Sequence, residues 1–376
     1  MTVLICIPCL LIGGTEIQTL NLVRALVVGG YHVVTICYYE YEEKMVEQYR
    51  AAGCKVELLS SEGVRVHGWR QLWYLYHGLR KSVRKYHPAV VHVQYMAPGA
   101  LPCLILKLLG VSRIIVTVHT TADNYSNFSL SLIHFIQKYC VNVFTCISEG
   151  AEKSFFYTSQ KYSINQKINR RNHFTIYNCL SHSFTPLDKE RSFTKFVTIG
   201  IVSRLEYIKG VDLAVPAFYN INKKYRNTQL LIIGEGSLHA SMNTQVKEMK
   251  LENCVSFVGK QEHDKLQEFY NKIDILLIPS RSEGFGLTAI EGMSRGCVIV
   301  ASDTGGLPEI IPKGAGLLHE RGSIESIVQQ ISYLLKNRSR MACISKQGMQ
   351  NASKYHEHAY NRIIQDLYQN ILCTRS

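Results

Sequence analysis

The chain lacks a long uninterrupted hydrophobic stretch, although 46% of its 376 residues are hydrophobic. Its most apolar segment, LPCLILKLLGVSRIIVTV, contains Lys107 and Arg113, and a bilayer-spanning helix needs about 20 predominantly apolar residues. The start, MTVLICIPCLLIGG, has no basic region and is interrupted by Pro8 and a glycine pair. The sequence therefore predicts no membrane span and no signal peptide. It predicts a cytoplasmic protein that is at most peripheral to a membrane.

Paired metal-binding residues are also missing. Cys6 and Cys9 form a C-x-x-C pair, but no second pair at similar spacing exists and a glycine loop follows instead of a helix. The cysteines are therefore predicted to be reduced thiols that are mostly buried. The aspartates are isolated, and no D-x-D occurs. Because a divalent ion that bridges a diphosphate is usually held by such acids, the sequence predicts no metal requirement and no cofactor.

Acidic residues are few, with 29 Asp and Glu against 42 Lys and Arg, for a net charge of +13. This excess indicates an anionic partner. One segment, GWRQLWYLYHGLRKSVRKYH, holds both tryptophans, and its basic residues cluster at Arg80, Lys81, Arg84 and Lys85. A basic aromatic helix can lie on an anionic membrane; the alternative is that the aromatics are core and the cations a solvated face. No nucleic-acid-binding motif is present, so a membrane surface is the predicted partner.

Strand and helix patterns alternate along the chain. The strand-like segments are TVLICIP, YHVVTICYY, AVVHVQY, RIIVTVHT and VFTCIS, followed later by FVTIGIVS, QLLIIGEG, NCVSFVGK, IDILLIPS and CVIVASD. Strands separated by helices indicate right-handed βαβ units and parallel sheets. The polar segment 178–195 reads as a linker. We therefore predict an α/β fold of two doubly wound Rossmann-like domains that face a cleft, at 1–180 and 192–354, with a final helix at about 355–376 that packs back towards the first.

Two glycine-containing loops follow strands of the second domain. GIVSRLEYIKG places Arg204 and Lys209 at the carboxyl edge of the sheet, beside a helix N-terminus. Two cations in that position suit a diphosphate, although a solvated basic turn has the same pattern. Gly234 and Gly236 follow the next strand in LLIIGEG. Glycines allow the backbone to approach a ligand closely, although an ordinary strand-end turn also explains them.

The segment RSEGFGLTAIEGMSRG carries two acids, Glu283 before a glycine turn and Glu291 within the helix that follows. The N–H groups of Phe285, Gly286 and Leu287 would point to one spot with the helix dipole behind them. A phosphate fits there, and the acids on either side can accept hydrogen bonds from hydroxyl groups. A nucleotide-sugar offers that arrangement. The alternative is an acid placed by the helix dipole and an unrelated surface acid.

These residues resemble the family 4 retaining glycosyltransferases of the GT-B fold, and the resemblance covers nearly the whole chain. An E-x7-E motif holds the donor in that family, and Glu283 and Glu291 match it. The phosphate-binding Arg and Lys of the family match Arg204 and Lys209. Its N-terminal glycine loop matches the pair that ends at Gly14.

A histidine after a strand, near the reacting sugar in the resembled family, matches His119 in IIVTVHTT. Its position at the carboxyl edge of the first sheet favours a functional role over that of a satisfied strand-end histidine. One departure occurs at YNCL, where the family commonly has Asn-Gly and this chain has Asn178-Cys179.

The resemblance implies a retaining hexosyltransferase that moves a sugar from a nucleotide-sugar, with UDP as the expected nucleotide, to a lipid-linked glycan. The expected setting is the assembly of O-antigen, capsule or exopolysaccharide at the inner face of the cytoplasmic membrane. The implied catalytic residues are His119 and Glu283. The implied donor-binding residues are Gly14, Arg204, Lys209, Gly234, Gly236, Phe285, Gly286, Leu287 and Glu291. Two alternatives stay open: a UDP-sugar epimerase of GT-B fold, and a non-enzymatic basic protein that binds membrane or RNA.

Overall fold

The chain forms two compact units in a computed structural model. The first contains Met1–Ser181 and the C-terminal segment from Glu357, and the second is His182–His356. The predicted linker, residues 178–195, therefore contributes residues to both units. The structure describes residues 1–60, 63–95, 99–168, 172–182, 184–185, 187 and 190–373.

The first unit is built on a sheet of seven parallel strands in the order β3-β2-β1-β4-β5-β6-β7. The strands are β1 (Thr2–Ile7), β2 (His32–Cys37), β3 (Lys55–Leu58), β4 (Val90–Gln94), β5 (Ile114–Val118), β6 (Val143–Cys146) and β7 (His173–Thr175). The helices between them are α1 (Gly14–Val28), α2 (Glu43–Ala51), α3 (Trp69–Tyr86), α4 (Ala100–Leu108), α5 (Asn127–Tyr139) and α6 (Glu149–Phe156). The strand order reverses between β1 and β4, where ligands bind in doubly wound sheets.

The second unit is built on six parallel strands in the order β10-β9-β8-β11-β12-β13. The strands are β8 (Val197–Val202), β9 (Thr228–Ile233), β10 (Val255–Gly259), β11 (Ile275–Ile278), β12 (Val298–Ser302) and β13 (Gly316–His319). The helices are α7 (Ala214–Lys224), α8 (His239–Glu248), α9 (Leu266–Tyr270), α10 (Leu287–Ser294), α11 (Leu307–Ile310), α12 (Ile324–Lys336) and α13 (Arg338–Ala352). The prediction of two doubly wound α/β domains with parallel sheets is confirmed.

The central strands are buried and mostly hydrophobic because helices cover both faces of each sheet. In β1 the residues from Val3 to Ile7 are all buried, and in β12 all five residues are buried. This explains why the strands could be recognised as continuous apolar runs instead of alternating patterns. Among the described residues, no helix has both the length and the apolar character needed to cross a membrane.

The last helix, α14 (Glu357–Cys373), packs on the first unit. Ile364, Leu367 and Ile371 are buried in the same apolar cluster as residues of α1 and β1. Gln365 also donates a hydrogen bond from Nε2 to the carbonyl of Ala25 in α1, at 3.2 Å. Residues far apart in the sequence thus close one face of the first sheet.

A buried polar chain runs from α14 into this sheet. In His92 of β4, Nδ1 lies 2.7 Å from the Tyr368 hydroxyl and Nε2 lies 2.7 Å from Thr117 Oγ1. Thr117 Oγ1 lies 2.7 Å from Thr145 Oγ1, which donates to the Val116 carbonyl. Because Thr145 uses its proton there, Thr117 donates to Thr145 and accepts from His92. His92 therefore carries a proton on Nε2. Because burial also lowers its pKa to about 3, the ring is neutral and accepts from Tyr368 at Nδ1.

We expect acid to destabilise the first unit through His92. Burial, with a smaller effect of nearby His119, lowers the pKa of His92 to about 3, against about 6.5 in an unfolded chain. Between these values the unfolded chain binds the extra proton, so stability falls as the pH drops below about 6.5. His92 should account for a loss of about 1 kcal/mol between pH 7 and 5.5.

Urea unfolding at both pH values, followed by circular dichroism, measures this loss. His92→Gln should show a weaker pH dependence than the wild type, and His32→Gln, at an exposed position of β2, should keep the wild-type dependence. An unchanged pH dependence in His92→Gln would mean that His92 does not contribute to the pH dependence of the free energy of unfolding.

Candidate functional site

The loop after β8 carries both predicted phosphate-binding cations. It includes a 3-10 turn at Tyr207–Lys209 and reverses at Gly210, whose φ is +63°. A Cβ added at Gly210 would lie 1.9 Å from the Pro279 carbonyl oxygen, so only glycine lets this loop pack against the end of β11. The Arg204 side chain is exposed, and its guanidinium has no hydrogen-bond partner within the described part of the chain. It is therefore available to an anion.

The loop after β9 packs on the first part of that loop. Gly234 has a φ of +136°, and a Cβ there would lie 1.8 Å from the Ser203 carbonyl oxygen. A Cβ at Gly236 would lie 2.5 Å from the carbonyl oxygen of Leu205. The Glu206 carboxylate accepts hydrogen bonds from the Ser237 amide and hydroxyl, at 3.0 and 2.6 Å. Both glycines thus have a structural reason in the close approach of two loops, and their contact with a donor stays a prediction.

The structure brings Lys209 and Glu283 into direct contact. Lys209 Nζ lies 2.8 Å from Glu283 Oε2, which also accepts a hydrogen bond from Ser280 Oγ at 3.3 Å. Both side chains stay partly exposed, at 24% for the lysine and 16% for the glutamate. Two predicted site residues, 74 positions apart, therefore form one ion pair at the carboxyl ends of β8 and β11.

The turn between Glu283 and α10 depends on Gly286. This residue caps α10 with a φ of +108°, and a Cβ there would lie 2.8 Å from Leu307 Cδ2. The Phe285 side chain is buried and packs edge-on against Tyr355, with ring centroids 5.9 Å apart. The Phe285 side chain is therefore part of the packing of this unit, and a contact of its backbone with a donor stays a prediction. Leu287 begins the helix, whose N-terminus carries the positive end of the dipole.

Glu291 is held by two residues that sequence reasoning missed. It is 6% exposed; Oε1 lies 3.1 Å from His263 Nε2, and Oε2 accepts from the Tyr270 hydroxyl at 2.8 Å. Burial, with the nearby Glu291 charge, raises the pKa of Tyr270 well above its usual value, so Tyr270 remains a donor. The Phe184 ring packs on both His263 and Tyr270. The acid is thus fixed in position, and a ligand hydroxyl would use its remaining lone pairs.

A second missed feature is the glycine pair after β12. Gly305 has a φ of +56°, and a Cβ there would lie 1.7 Å from the Glu283 carbonyl oxygen. The Gly306 amide donates to the same carbonyl at 3.1 Å. The sequence indicates this feature, because glycines follow an apolar strand here as they do in the loop with Gly234 and Gly236. The glycine pair therefore supports the backbone of the loop that carries Glu283.

A third missed feature joins the two loops that carry Lys209 and Glu283. Arg281 donates to both oxygens of Asp212, at 2.6 and 2.7 Å, and to the Tyr207 carbonyl at 2.8 Å. Its guanidinium lies 3.8 Å from the centre of the Tyr207 ring. A bidentate pair of this kind fixes orientation as well as position. Arg281 therefore belongs to the framework of the site.

His119 follows β5 in the first unit and is partly exposed. Its Nε2 lies 2.9 Å from Gln94 Oε1, and its ring centre lies 5.3 Å from that of Tyr95. Desolvation lowers the pKa of His119 to about 3, so the imidazole is neutral near pH 7. A neutral imidazole can donate or accept a hydrogen bond to a sugar hydroxyl but supplies no positive charge.

Gly14 is the first residue of α1, and Gly13 is its N-cap. The carboxylate of Glu16 folds back over this end, because a Cβ added at Gly13 would lie 2.5 Å from its Oε2. An acid in the first turn complements the helix dipole. The packing of Glu16 over the N-terminus of α1 thus explains the glycine at position 13, and donor binding by Gly14 stays a prediction.

The departure from the family pattern at Asn178-Cys179 has a local explanation. Gln18 of α1 donates from Nε2 to the Cys179 carbonyl at 2.7 Å and accepts from the Cys179 amide at 3.1 Å. This side chain pairs with the backbone as a neighbouring strand would. The turn is therefore held by α1, and the buried Cys179 side chain is compatible with it.

The basic aromatic segment forms α3 with both tryptophans outward. Leu75 and Leu79 are buried, whereas Trp69 is 78% exposed and Trp73 is 63% exposed. The alternative that the aromatics are core is therefore wrong for the tryptophans, whereas Tyr74, Tyr76 and Tyr86 are partly buried and pack against the core. Of the four cations, Lys85 pairs with Glu57 at 2.5 Å.

The other three cations of the predicted cluster, Arg80, Lys81 and Arg84, lie at the surface. Lys81 and Arg84 are exposed, and the Arg80 guanidinium lies 6.0 Å from the centre of the Tyr76 ring. A helical repeat of 3.6 residues places Arg80 and Arg84 on the same outward face as the tryptophans. We refer to Trp69, Trp73, Arg80, Lys81 and Arg84 as the α3 surface.

No group of three or more His, Cys, Asp or Glu side chains in the described residues is arranged to hold a metal ion. Metal independence stays a prediction.

Family models of known proteins match both units of the chain. A family model described as Glycosyltransferase Family 4 matches residues 12–155, and one described as Glycosyl transferases group 1 matches residues 186–351. An uncharacterized glycosyltransferase of Methanocaldococcus jannaschii is 25% identical over 351 residues, which are 92% of this chain and 91% of that protein.

The lipopolysaccharide core biosynthesis mannosyltransferase LpsB of Rhizobium meliloti is 28% identical over 164 residues, which are 42% of this chain and 46% of that protein. The crystal structure of Anabaena Alr3699/HepE in complex with UDP and glucose has a TM-score of 0.80 and 16% identity, over 98% of this chain and 99% of that one. At this identity the similarity shows the fold alone.

Proposed function

This chain belongs to the family 4 glycosyltransferases, with their GT-B fold, and we propose that it moves a sugar from a UDP-sugar to a lipid-linked glycan with retention of configuration. The observation that carries the proposal is the ion pair of Lys209 and Glu283, 2.8 Å apart in the loops after β8 and β11. The proposed setting is the synthesis of O-antigen, capsule or exopolysaccharide. The LpsB relative supports this setting, because its name describes lipopolysaccharide core synthesis.

In the proposed donor site, the diphosphate is bound by Arg204, Lys209 and the N-terminus of α10. Arg204 is exposed and without a hydrogen-bond partner in the described residues, whereas Lys209 shares its charge with Glu283. Preorganised charges of this kind stabilise the negative charge that develops on the leaving nucleotide. Glu283 accepts from sugar hydroxyls and Glu291 from ribose hydroxyls. No metal ion is needed in this scheme, because the protein supplies the positive charge.

We propose retention because the resembled family retains configuration and because the proposed donor residues supply no suitable base. An inverting enzyme needs a general base on the face opposite the leaving group. Glu283 is paired with Lys209, and both oxygens of Glu291 accept hydrogen bonds. His119, as in the resembled family, contacts the sugar. The leaving phosphate then accepts the proton of a hydroxyl that attacks on its own face.

The proposed acceptor side involves the first unit and an anionic membrane at the inner face of the cytoplasmic membrane. The α3 surface combines exposed tryptophans with cations, and no acidic residue occurs between Trp69 and Tyr86. Tryptophan is favoured at membrane interfaces, and cations are attracted by anionic headgroups. Such a surface would bring the enzyme to a lipid-linked acceptor.

We expect the protein to sediment with anionic vesicles and to dissociate as salt is raised, because exposed charges are screened within about 8 Å at physiological ionic strength. The combined variant Arg80→Gln, Lys81→Gln, Arg84→Gln should bind roughly 100-fold more weakly, since each cation near the surface contributes ~1 kcal/mol.

The matched control for this experiment removes three exposed cations of the second unit, Arg226, Lys247 and Lys250, and should bind as the wild type does. Equal weakening in both triple variants would mean that net charge, and not the α3 surface, governs binding.

The transfer reaction itself is tested with UDP-sugars and lipid-linked glycans in the presence of EDTA. We expect UDP release that requires acceptor, continues under chelation, and yields a product whose anomeric proton coupling matches the donor configuration. Conversion of the UDP-sugar into another sugar product without acceptor would support an epimerase, and an inverted linkage would contradict the proposed chemistry. Complete loss under EDTA, restored by Mg²⁺ or Mn²⁺, would contradict metal independence.

A further inference from the structure

A small cavity lies beside His119 in the first unit. It has a volume of about 20 Å³, and a buried water needs roughly 10–15 Å³ and two to four polar partners. Polar side chains from α1, β4, β5 and the segment after β7 line it, including Gln18, Gln94, His119 and Asn178. The remaining wall is apolar and comes partly from Ile364 of α14. The cavity is therefore large enough and polar enough for one water.

Gln94 has an unsatisfied donor at this cavity. The side chain is 1% exposed, and its Oε1 accepts from His119 Nε2 at 2.9 Å. Its Nε2 has no hydrogen-bond partner among the described residues. A buried polar group without a partner costs about 1–3 kcal/mol. His92 cannot relieve it, because both ring nitrogens already bond to Tyr368 and Thr117.

The same contact determines where His119 carries its proton. A neutral imidazole has one N–H and one acceptor nitrogen. When Gln94 Oε1 accepts from Nε2, the proton is on Nε2 and the lone pair is on Nδ1. No described residue forms a hydrogen bond with Nδ1, so it can accept from a hydroxyl group.

We propose that Gln94 is the positioning residue of His119, and that one ordered water in this cavity accepts from Gln94 Nε2 and holds the amide in place. Together they keep the imidazole in the tautomer that presents Nδ1 as an acceptor to a sugar hydroxyl. The last step rests on the proposed function, whereas the tautomer and the water do not.

Long-range proton–nitrogen NMR of the full chain, labelled with ¹⁵N-histidine, reads the tautomer directly. The His119→Phe variant identifies the His119 signals by their loss. We expect the wild type to carry the proton on Nε2, and Gln94→Leu to show a mixture of both tautomers. Gln94→Glu should keep the wild-type tautomer, because a carboxylate oxygen also accepts from Nε2. A proton on Nδ1 in the wild type, or an unchanged tautomer in Gln94→Leu, would overturn the proposal.

Thr35→Val is the matched control, because it removes a buried hydrogen bond in β2, to Cys54 Sγ at 3.1 Å, and does not line the cavity. Its His119 signals should match the wild type. In a crystal structure of the wild type, we expect a water within hydrogen-bond distance of Gln94 Nε2; an empty cavity would overturn that half of the proposal.

Turnover gives an independent readout. The kcat of Gln94→Leu should fall about tenfold, as expected for the loss of one hydrogen bond, with little change in the KM for the donor, while Gln94→Glu recovers most of the rate. A wild type that transfers no sugar would contradict the proposed function and leave the NMR test intact. Full activity in Gln94→Leu would show that the tautomer is not used in the reaction.

Discussion

Lys209→Ala should lower the transfer rate by about 100- to 1,000-fold, the usual effect of removing one preorganised charge contact to a developing anion. The substitution removes the ammonium group 2.8 Å from Glu283 Oε2 and leaves that carboxylate with Ser280 as its remaining donor among the described residues. The loss should appear mainly in kcat, because the charge on the leaving nucleotide grows towards the transition state. Initial rates with a UDP-sugar and its acceptor provide the measurement.

Lys346→Ala is the control for this variant, because Lys346 forms an ion pair with Glu190 on the same unit, at 2.5 Å. Exposed pairs contribute little to stability, so both variants should unfold close to the wild-type temperature. Comparable rates in Lys209→Ala and the wild type would remove this lysine from the donor site.

Gly305→Ala should reduce transfer by about 100-fold even though this residue is outside the predicted motifs. The added Cβ would lie 1.7 Å from the Glu283 carbonyl oxygen, so the loop that bears this acid must move. A displacement of about 1 Å at a catalytic group can lower a rate by about 100-fold. Initial rates and the midpoint of thermal unfolding separate lost geometry from lost stability.

Gly322→Ala separates the steric effect from backbone strain. Gly322 also has a positive φ, +78°, but a Cβ there meets no atom within 4 Å. Both variants incur the strain of a left-handed backbone, roughly 1–2 kcal/mol, and only Gly305→Ala also displaces Glu283. Equal activity losses in the two variants would show that the contact with Glu283 is unimportant.

The strand-end loops could be predicted because their signal is local. A buried parallel strand is a continuous apolar run, and its carboxyl end is marked by glycine and polar residues, as at Arg204, Gly234 and Glu283. Since these ends meet at one edge of a sheet, the sequence placed both Lys209 and Glu283 at that edge, and the structure adds their direct contact. The glycine pair at Gly305 follows β12 and gives the same local signal.

Contacts between distant segments could not be predicted in this way. Glu291 bonds to residues 28 and 21 positions away, and Gln18 pairs with Cys179 at a separation of 161. A single sequence carries no information on such pairs, because many side chains could satisfy the same acid or amide. The outward direction of Trp73, in contrast, follows from the local helical repeat, because that repeat places both tryptophans with Arg80 and Arg84, opposite the buried Leu75 and Leu79.

In the proposed function, the second unit binds a nucleotide diphosphate through the loop after β8. Calorimetric titration of UDP into the full chain tests it most directly with Arg204→Ala, because this side chain is exposed and forms no hydrogen bond within the described residues. Lys313→Ala, at another exposed position of the same unit, is the control. We predict that UDP binds to the wild type and to Lys313→Ala alike and at least tenfold more weakly to Arg204→Ala, a difference of about 1.4 kcal/mol. Equal affinity in all three proteins, or no binding to the wild type, would contradict the claim.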